Sequence, residues 1–219
     1  MVAKRKTNKI TEDRIIELYM DYVLEHDAVP KSIYRFCKEN KIAETDFYAF
    51  FGSVESLQKA IWGKFYAHTE ALLDKNDEYE SLSNKEKMLT FFFTFFELLT
   101  LNRSYVLLTL TEHRNALKNL AQLKDLRHLV KGFAIGLIDE ANAGKSSKIT
   151  KYNPKIFSEG AWLQFLFVLK FWMDDSSSGF EKTDLAIEKS INTVFDIFDH
   201  TPLENIIDFG KFLYKEAMA

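Results

Sequence analysis

The side chains able to carry catalysis or to hold a metal are few, and their spacing argues against both. His26, His68, His113, His128 and His200 are scattered, and no two stand four residues apart, the spacing that points two imidazoles at one metal from a helix. His113 and His128 have the separation to face each other across a helical hairpin, where a polar surface or a pocket hydrogen bond accounts for them. Gly144, Lys145 and Ser146 match a phosphate loop only in part. The Walker spacing needs a glycine at 139, where Asp139 stands, and a strand before it. Gly144 is instead read as a helix C-cap. Cys37, the single cysteine, falls on an inward position of its helix and reads as small core filler, not as a redox sensor. The expectation is a protein that is not an enzyme, with no metal site and no cofactor.

The chemistry the sequence does offer is recognition. Lys4, Arg5, Lys6 and Lys9 form a basic arm at the start of the chain, of the kind that lies along a DNA minor groove or on phosphates. Residues 1–52 nonetheless hold nine Lys or Arg against nine Asp or Glu, so the arm carries the positive field and the remainder of the segment is acidic. The net charge of the whole chain is −3, which gives no global pull toward nucleic acid or an anionic membrane. Aromatic residues are 15% of the chain and cluster, with Phe91, Phe92, Phe93, Phe95 and Phe96 in one stretch and Trp162, Phe165, Phe167, Phe171 and Trp172 in another. A helix apolar around most of its circumference is buried on several sides. One reading is ordinary core plus a dimer interface. The other is that Phe92, Phe95, Phe96, Trp162 and Phe165, with Tyr105, Leu108 and Phe133 from neighbouring helices, line a pocket for a small hydrophobic or aromatic ligand. Different faces can serve each.

The elements that must position these residues are helices. Only 8 Gly and 3 Pro occur in 219 residues, too few for the turns of a β-rich fold, so an all-α architecture of about ten helices follows. The length suits one large helical domain, or a domain of about 50 residues joined to one of about 150. A first amphipathic helix is expected over 11–26, with Thr11 as N-cap. Ser32 caps a short helix ending near Asn40 and Lys41, a second short piece ends at Gly52, and Ser53 opens a fourth helix with Val54, Leu57, Ile61, Phe65 and Leu72 inward. Further helices are expected over roughly 83–100, 102–120, 122–143, 153–174, 181–199 and 202–217. No apolar run reaches the length of a membrane span, the basic N-terminus lacks the apolar stretch of a secretory signal, and a lone cysteine fits a reducing cytoplasm.

The stretch IYRFCKENKIAETDFYAFFGSVESL, from Ile33 to Leu57, resembles the helix-turn-helix of the TetR (tetracycline repressor) family together with its linking helix. The matching elements are Ile33, Phe36 and Cys37, then Ile42, Phe47 and Tyr48, then Phe51 and Gly52, then Ser53, Glu55 and Leu57. Ile33, Phe36, Ile42, Phe47 and Phe51 would form a small core that locks two short helices at a fixed angle, so that the second can enter a major groove about 12 Å wide. The resemblance implies that the Tyr48 hydroxyl contacts a phosphate, that Ser32 offers donors to another, and that Thr45 reads a base edge. The sequence departs from the family pattern at Glu44 and Asp46, which stand where a Lys or a small residue is usual. Phosphates repel carboxylates, although a carboxylate can accept from a cytosine amino group and so specify sequence. The alternative is a module that no longer binds DNA.

The resemblance implies an N-terminal helix-turn-helix domain over 1–52 and a ligand-binding, dimerising domain over 53–219, in a homodimeric transcriptional regulator, a repressor, that binds a palindromic double-stranded DNA operator under control of a small apolar effector. It places the dimer interface on the helices at 153–174 and 181–199, where Gly160 and Ala161 permit close approach and Leu163, Leu166, Val194 and Phe198 offer apolar stripes. A last helix bearing Ile206, Ile207, Phe209, Phe212 and Leu213 is read as a cap on the core rather than a membrane surface. The segment Phe167–Ile191 is similar to the corresponding part of TetR-fold lipid-binding accessory proteins of ubiquinone biosynthesis, which suggests a carrier as the alternative function. Local chemistry also explains it, since Asp174, Asp175 and Ser176 to Ser178 end one helix and Glu181 begins the next.

Overall fold

The computed structural model describes residues 10–143 and 153–200, with the side chains of 198–200 outside that description. The arm with Lys4, Arg5, Lys6 and Lys9, the Gly144–Ser146 segment, the Phe198 and His200 side chains and the helix expected over 202–217 therefore lie outside the described residues. Among the described residues there is no strand. The order is α1 (Glu12–His26), α2 (Ile33–Glu39), α3 (Glu44–Tyr48), α4 (Val54–Leu73), α5 (Asn84–Leu101), α6 (Arg103–Leu110), α7 (Ala116–Leu120), α8 (Lys124–Ala143), α9 (Pro154–Asp174) and α10 (Glu181–His200). The all-α expectation holds. No single helix among the described residues is long and apolar enough to cross a membrane.

The chain divides into two compact units, one from the described residues up to His68 together with Glu97–Arg127, the other from Thr69–Phe96 together with the described residues from His128 onward. The first unit is organised by rings. Phe36 of α2 meets Tyr19 and Tyr22 of α1 edge-on, at 6.1 and 5.8 Å between centroids, and Phe47 of α3 at 6.1 Å. Phe47 continues to Phe51 at 5.8 Å. Such edge-to-face pairs fix mutual orientation as well as burying area. Ile33 and Ile42 are only half-buried, so the core expected from five residues rests on Phe36, Phe47 and Phe51 with rings supplied by α1. On α4, Leu57, Ile61, Trp62, Phe65, Tyr66 and Leu73 are buried, whereas Leu72, expected inward, is 37% exposed; one step of helical rotation separates it from Leu73.

The helix expected over 102–120 is two helices with a turn at 111–115. Thr111 Oγ1 donates to the Leu107 carbonyl at 2.7 Å, His113 N–H donates to Asn119 Oδ1 at 2.9 Å, and Asn119 Nδ2 returns a bond to the His113 carbonyl at 2.8 Å. Asn115 then caps α7 by accepting from Leu117 N–H at 2.9 Å. Thr and Asn side chains that satisfy backbone groups locally compete with the helical ladder, and here they replace it over one turn.

The second unit is built on α5 and α9. Phe91, Phe92, Phe95 and Phe96 are buried on α5, while Phe93 turns outward at 37% exposure. Phe165 of α9 lies 6.2, 5.4 and 5.7 Å from Phe92, Phe95 and Phe96, and Phe133 of α8 stacks on Phe91 at 4.5 Å. Lys87 is buried on α5 and reaches Glu140 of α8 at 3.2 Å and Glu80 at 3.5 Å; both carboxylates are exposed and keep the ammonium from standing unpaired.

The α9–α10 connection is tied by one carboxylate. Asp175 Oδ1 accepts from Ser177 N–H and Oγ at 2.8 and 2.7 Å, and Oδ2 from Thr183 N–H and Oγ1 at 2.9 and 2.7 Å. Gly179 and Phe180 both adopt positive φ, at 62° and 60°, to turn the chain beneath it. Burial pushes the Asp175 carboxyl up, but the four hydrogen bonds outweigh it and hold the group down at about 2. A carboxyl depressed in the folded state contributes stability above its unfolded value near 3.9 and loses it as pH falls toward 2. Asp175→Ala is therefore expected to lower the melting temperature at pH 7 by a few degrees, with the difference from the native protein shrinking between about pH 4 and pH 2, as measured by a pH series of thermal melts.

Candidate functional site

α2 and α3 make the candidate reading head. Ser32 precedes α2 in extended conformation, and its Oγ accepts from Arg35 N–H at 3.2 Å, so the hydroxyl caps the helix while remaining exposed. At the other end Ile42 N–H bonds the Cys37 carbonyl at 3.0 Å and Lys41 N–H bonds the Lys38 carbonyl at 3.4 Å, with Lys41 in the left-handed region at φ 56°. This Schellman pattern is the turn of the helix-turn-helix, and it delivers the chain into α3. Phe47 is buried there, Thr45 and Asp46 are exposed, Tyr48 is 52% exposed and Glu44 is half-buried. The Tyr48 ring stands edge-on to Phe47 at 5.7 Å. Ser32, Thr45 and Tyr48 thus belong to the outer surface of two short helices whose inner surface is a mesh of rings.

α3 carries two carboxylates and no cation, while the exposed side of α2 carries Tyr34, Arg35 and Lys38. The Arg35 Nε donates to Glu39 Oε1 at 2.8 Å, and that bond draws the exposed Glu39 carboxyl below its ordinary range. Lys38 Nζ lies 5.9 Å from the Tyr34 ring centroid, and Tyr34 is 60% exposed. Tyr34 and Lys38 were not among the residues read from sequence as DNA contacts. The period of α2 holds the signal, since Phe36 and Cys37 point inward and leave 34, 35 and 38 outward. Cys37 is buried, and its thiol is pushed up to about 11 by burial first and then by Glu44 and Asp46, so it stays protonated and inert.

Behind the reading head, buried polar bonds join α1, α4, α6 and α7 within the first unit. Gln58 Nε2 of α4 donates to the Tyr19 hydroxyl at 3.0 Å. Trp62 Nε1 donates to Gln122 Oε1 at 2.9 Å, and Gln122 Nε2 donates to the carbonyls of Thr109 and Asn119 at 3.1 and 3.0 Å. Tyr105 of α6 meets Tyr19 edge-on at 6.3 Å. The Tyr105 hydroxyl is fully buried with no hydrogen-bond partner among the described residues, and burial drives its acidity far down. Leu108 is half-buried on the same helix.

The structure gathers Phe92, Phe95, Phe96, Phe133, Trp162 and Phe165 in the second unit. Trp162 stacks on Phe165 at 5.3 Å, and the rings pack on one another. Tyr105 and Leu108 belong to the first unit. On α9, Leu163 is 65% exposed and Leu166 half-buried; on α10, Val194 is half-buried. Leu163 and Val194 line an open groove of about 550 Å³ between α9 and α10, with Phe167, 54% exposed, Gly160 and Ala186. Lys189, Ser190 and Thr193 add polar atoms. Among the described residues no three His, Cys, Asp or Glu side chains stand together as a metal site would require.

Residues 87–213 match the family model described as the tetracyclin repressor-like C-terminal domain. No curated protein matches the sequence. Nothing in these comparisons supports the similarity of Phe167–Ile191 to ubiquinone-pathway accessory proteins, and the hydrogen bonds of Asp175 account for that segment.

A buried hydroxyl without a partner costs roughly 1–3 kcal/mol. Tyr105→Phe is accordingly expected to hold or raise the stability of the ligand-free protein, by up to about 1 kcal/mol in urea unfolding. A clear loss of stability would mean that the hydroxyl is bonded.

Proposed function

The chain belongs to the tetracycline-repressor-like family, whose C-terminal domain model spans more than half of it, and on that premise we propose that it is a DNA-binding transcriptional repressor released by a small hydrophobic or aromatic effector. The observation that carries the reading is the exposed face of α2 and α3, with Ser32, Thr45 and Tyr48 outward over a ring-locked interior. In this reading Thr45 contacts base edges, Glu44 accepts from a cytosine amino group, Ser32 and Tyr48 bond phosphates, and Lys4, Arg5 and Lys6 supply charge along the duplex. Residues 1–52 are the reading part and 53–219 the effector-binding and dimerising part, a division by role that does not follow the packing boundary at His68.

The body of the protein supplies the partner and the control. Leu163, Leu166, Val194 and Phe198 would form an isologous interface with a second copy, which the solvent exposure of Leu163 and Phe167 on a folded helix pair favours. The effector would take as its polar anchor the Tyr105 hydroxyl, which is buried in the first unit with no hydrogen-bond partner among the described residues. Tyr105 packs on Tyr19 of α1, and Gln58 ties Tyr19 to α4, so a ligand that bonds Tyr105 acts on the helices that hold the reading head. An effector that favours a spacing of the two heads away from about 34 Å, one turn of DNA, disfavours the bound state.

The test is fluorescence anisotropy of the purified protein on duplex DNA from immediately upstream of its own gene, with sedimentation to set the oligomeric state. A dimer that binds selectively is expected, the Tyr48→Ala, Lys6→Ala double variant should bind about tenfold or more weakly, and Leu163→Glu should give a monomer with reduced affinity. A wild-type protein that binds no duplex at low salt overturns the reading.

A further inference from the structure

The acidic recognition helix leaves open where this protein finds its grip on the phosphate backbone, and α2 answers with its charge. Four cations lie on or beside it: Lys31 just before, Arg35 and Lys38 within, and Lys41 just after. Arg35 is bound to Glu39 at 2.8 Å, so that pair adds no net charge to the helix. Lys31, Lys38 and Lys41 are exposed and form no ion pair among the described residues. Lys38 is instead held at 5.9 Å from the face of Tyr34, a contact that orders a long side chain in advance without neutralising it.

Lys41 adds a second kind of evidence. It occupies the left-handed position of the Schellman turn, at φ 56°, where Gly or Asn is the ordinary residue because a Cβ is strained there. A lysine at that corner places an ammonium at the junction of α2 and α3 against a conformational preference, the pattern seen where backbone strain accompanies function. α2 has seven residues and is about 10 Å long at 1.5 Å per residue, so Lys31 and Lys41 bracket it with Lys38 between them. The first helix of a helix-turn-helix crosses the backbone of its DNA, the placement that such a bracket fits.

We propose that Lys31, Lys38 and Lys41 form a phosphate clamp on the outward face of α2 and its turn, with Tyr34 as the positioning residue for Lys38. The proposal rests on the DNA-binding reading above. The clamp offsets the repulsion from Glu44 and Asp46, and it leaves α3 free to discriminate bases while α2 and the arm supply affinity that is independent of sequence.

The experiment is the salt dependence of binding by the full-length protein, on the upstream duplex and on a scrambled duplex of equal length. Lys31→Gln, Lys38→Gln and Lys41→Gly should each lower the slope of log K against log salt by about one per protomer, hence about two for a bound dimer, and equally on both duplexes. Arg35→Gln should leave the slope as it is. Tyr34→Ala should weaken binding with the slope kept, since the ammonium remains. Lys41→Gly should keep or raise the melting temperature, which separates lost contact from lost fold. Wild-type binding with unchanged slopes in all three lysine variants overturns the clamp and leaves the regulator reading standing. Absence of wild-type binding on both duplexes overturns both.

Discussion

Phe36 is the ring that joins the first three helices. It touches Tyr19 and Tyr22 on one side and Phe47 on the other, so a single side chain from a helix of seven residues sets the angle of α2 against α1 and of α3 against α2. Helices as short as α2 and α3 have no independent stability in water. Their shape comes from burial, from the Ser32 cap and from the Schellman turn at Lys41. What the outer face presents, Tyr34, Lys38, Thr45 and Tyr48, follows from which side the rings have claimed.

The same economy appears in the second unit, where Phe165 makes contact with three rings of α5 and Asp175 uses both oxygens to hold the start of α10. Interiors built from interlocked rings have few intermediate packings, so a change at one ring is passed to its neighbours. The polar bonds of Gln58, Trp62 and Gln122 give the first unit a comparable directness: Gln58 joins α4 to α1, and Gln122 accepts from Trp62 of α4 while donating to carbonyls of α6 and α7. Tyr105 departs from that background, since its hydroxyl is buried with no partner among the described residues, a condition shared in the second unit by the Tyr79 hydroxyl and Gln164 Oε1.

Much of this was legible in the sequence. Scarce Gly and Pro, the 3.6-residue period of α1 and α4, and the caps at Thr11, Ser32 and Ser53 were sufficient for the helices and the helix-turn-helix, because those signals are local. The break at 111–115 was not, since Thr111, His113 and Asn119 replace helical hydrogen bonds with a side-chain pattern that periodicity does not register. The five-residue core expected in the reading head came out as three with rings from α1, a tertiary contribution invisible to a short window. Tyr34 and Lys38 lie outside the positions that the family resemblance points to, although the inward Phe36 and Cys37 fix their outward direction. The ring clusters marked buried faces on α5 and α9 but not their outward members, Phe93 and Phe167, and left the division between core and pocket undecided, since composition does not say which faces meet one another.

The most direct test of this account is hydrogen exchange by mass spectrometry on Phe36→Leu, which keeps a buried apolar side chain but removes the ring. The amides of Asp46, Phe47, Ala49, Phe50 and Phe51, bonded within and just after α3, are predicted to exchange about tenfold faster or more, while those of α9 keep their native protection. Unchanged protection across α3 would show that the reading head holds its shape without Phe36, and would contradict the claim that the rings set its outer face.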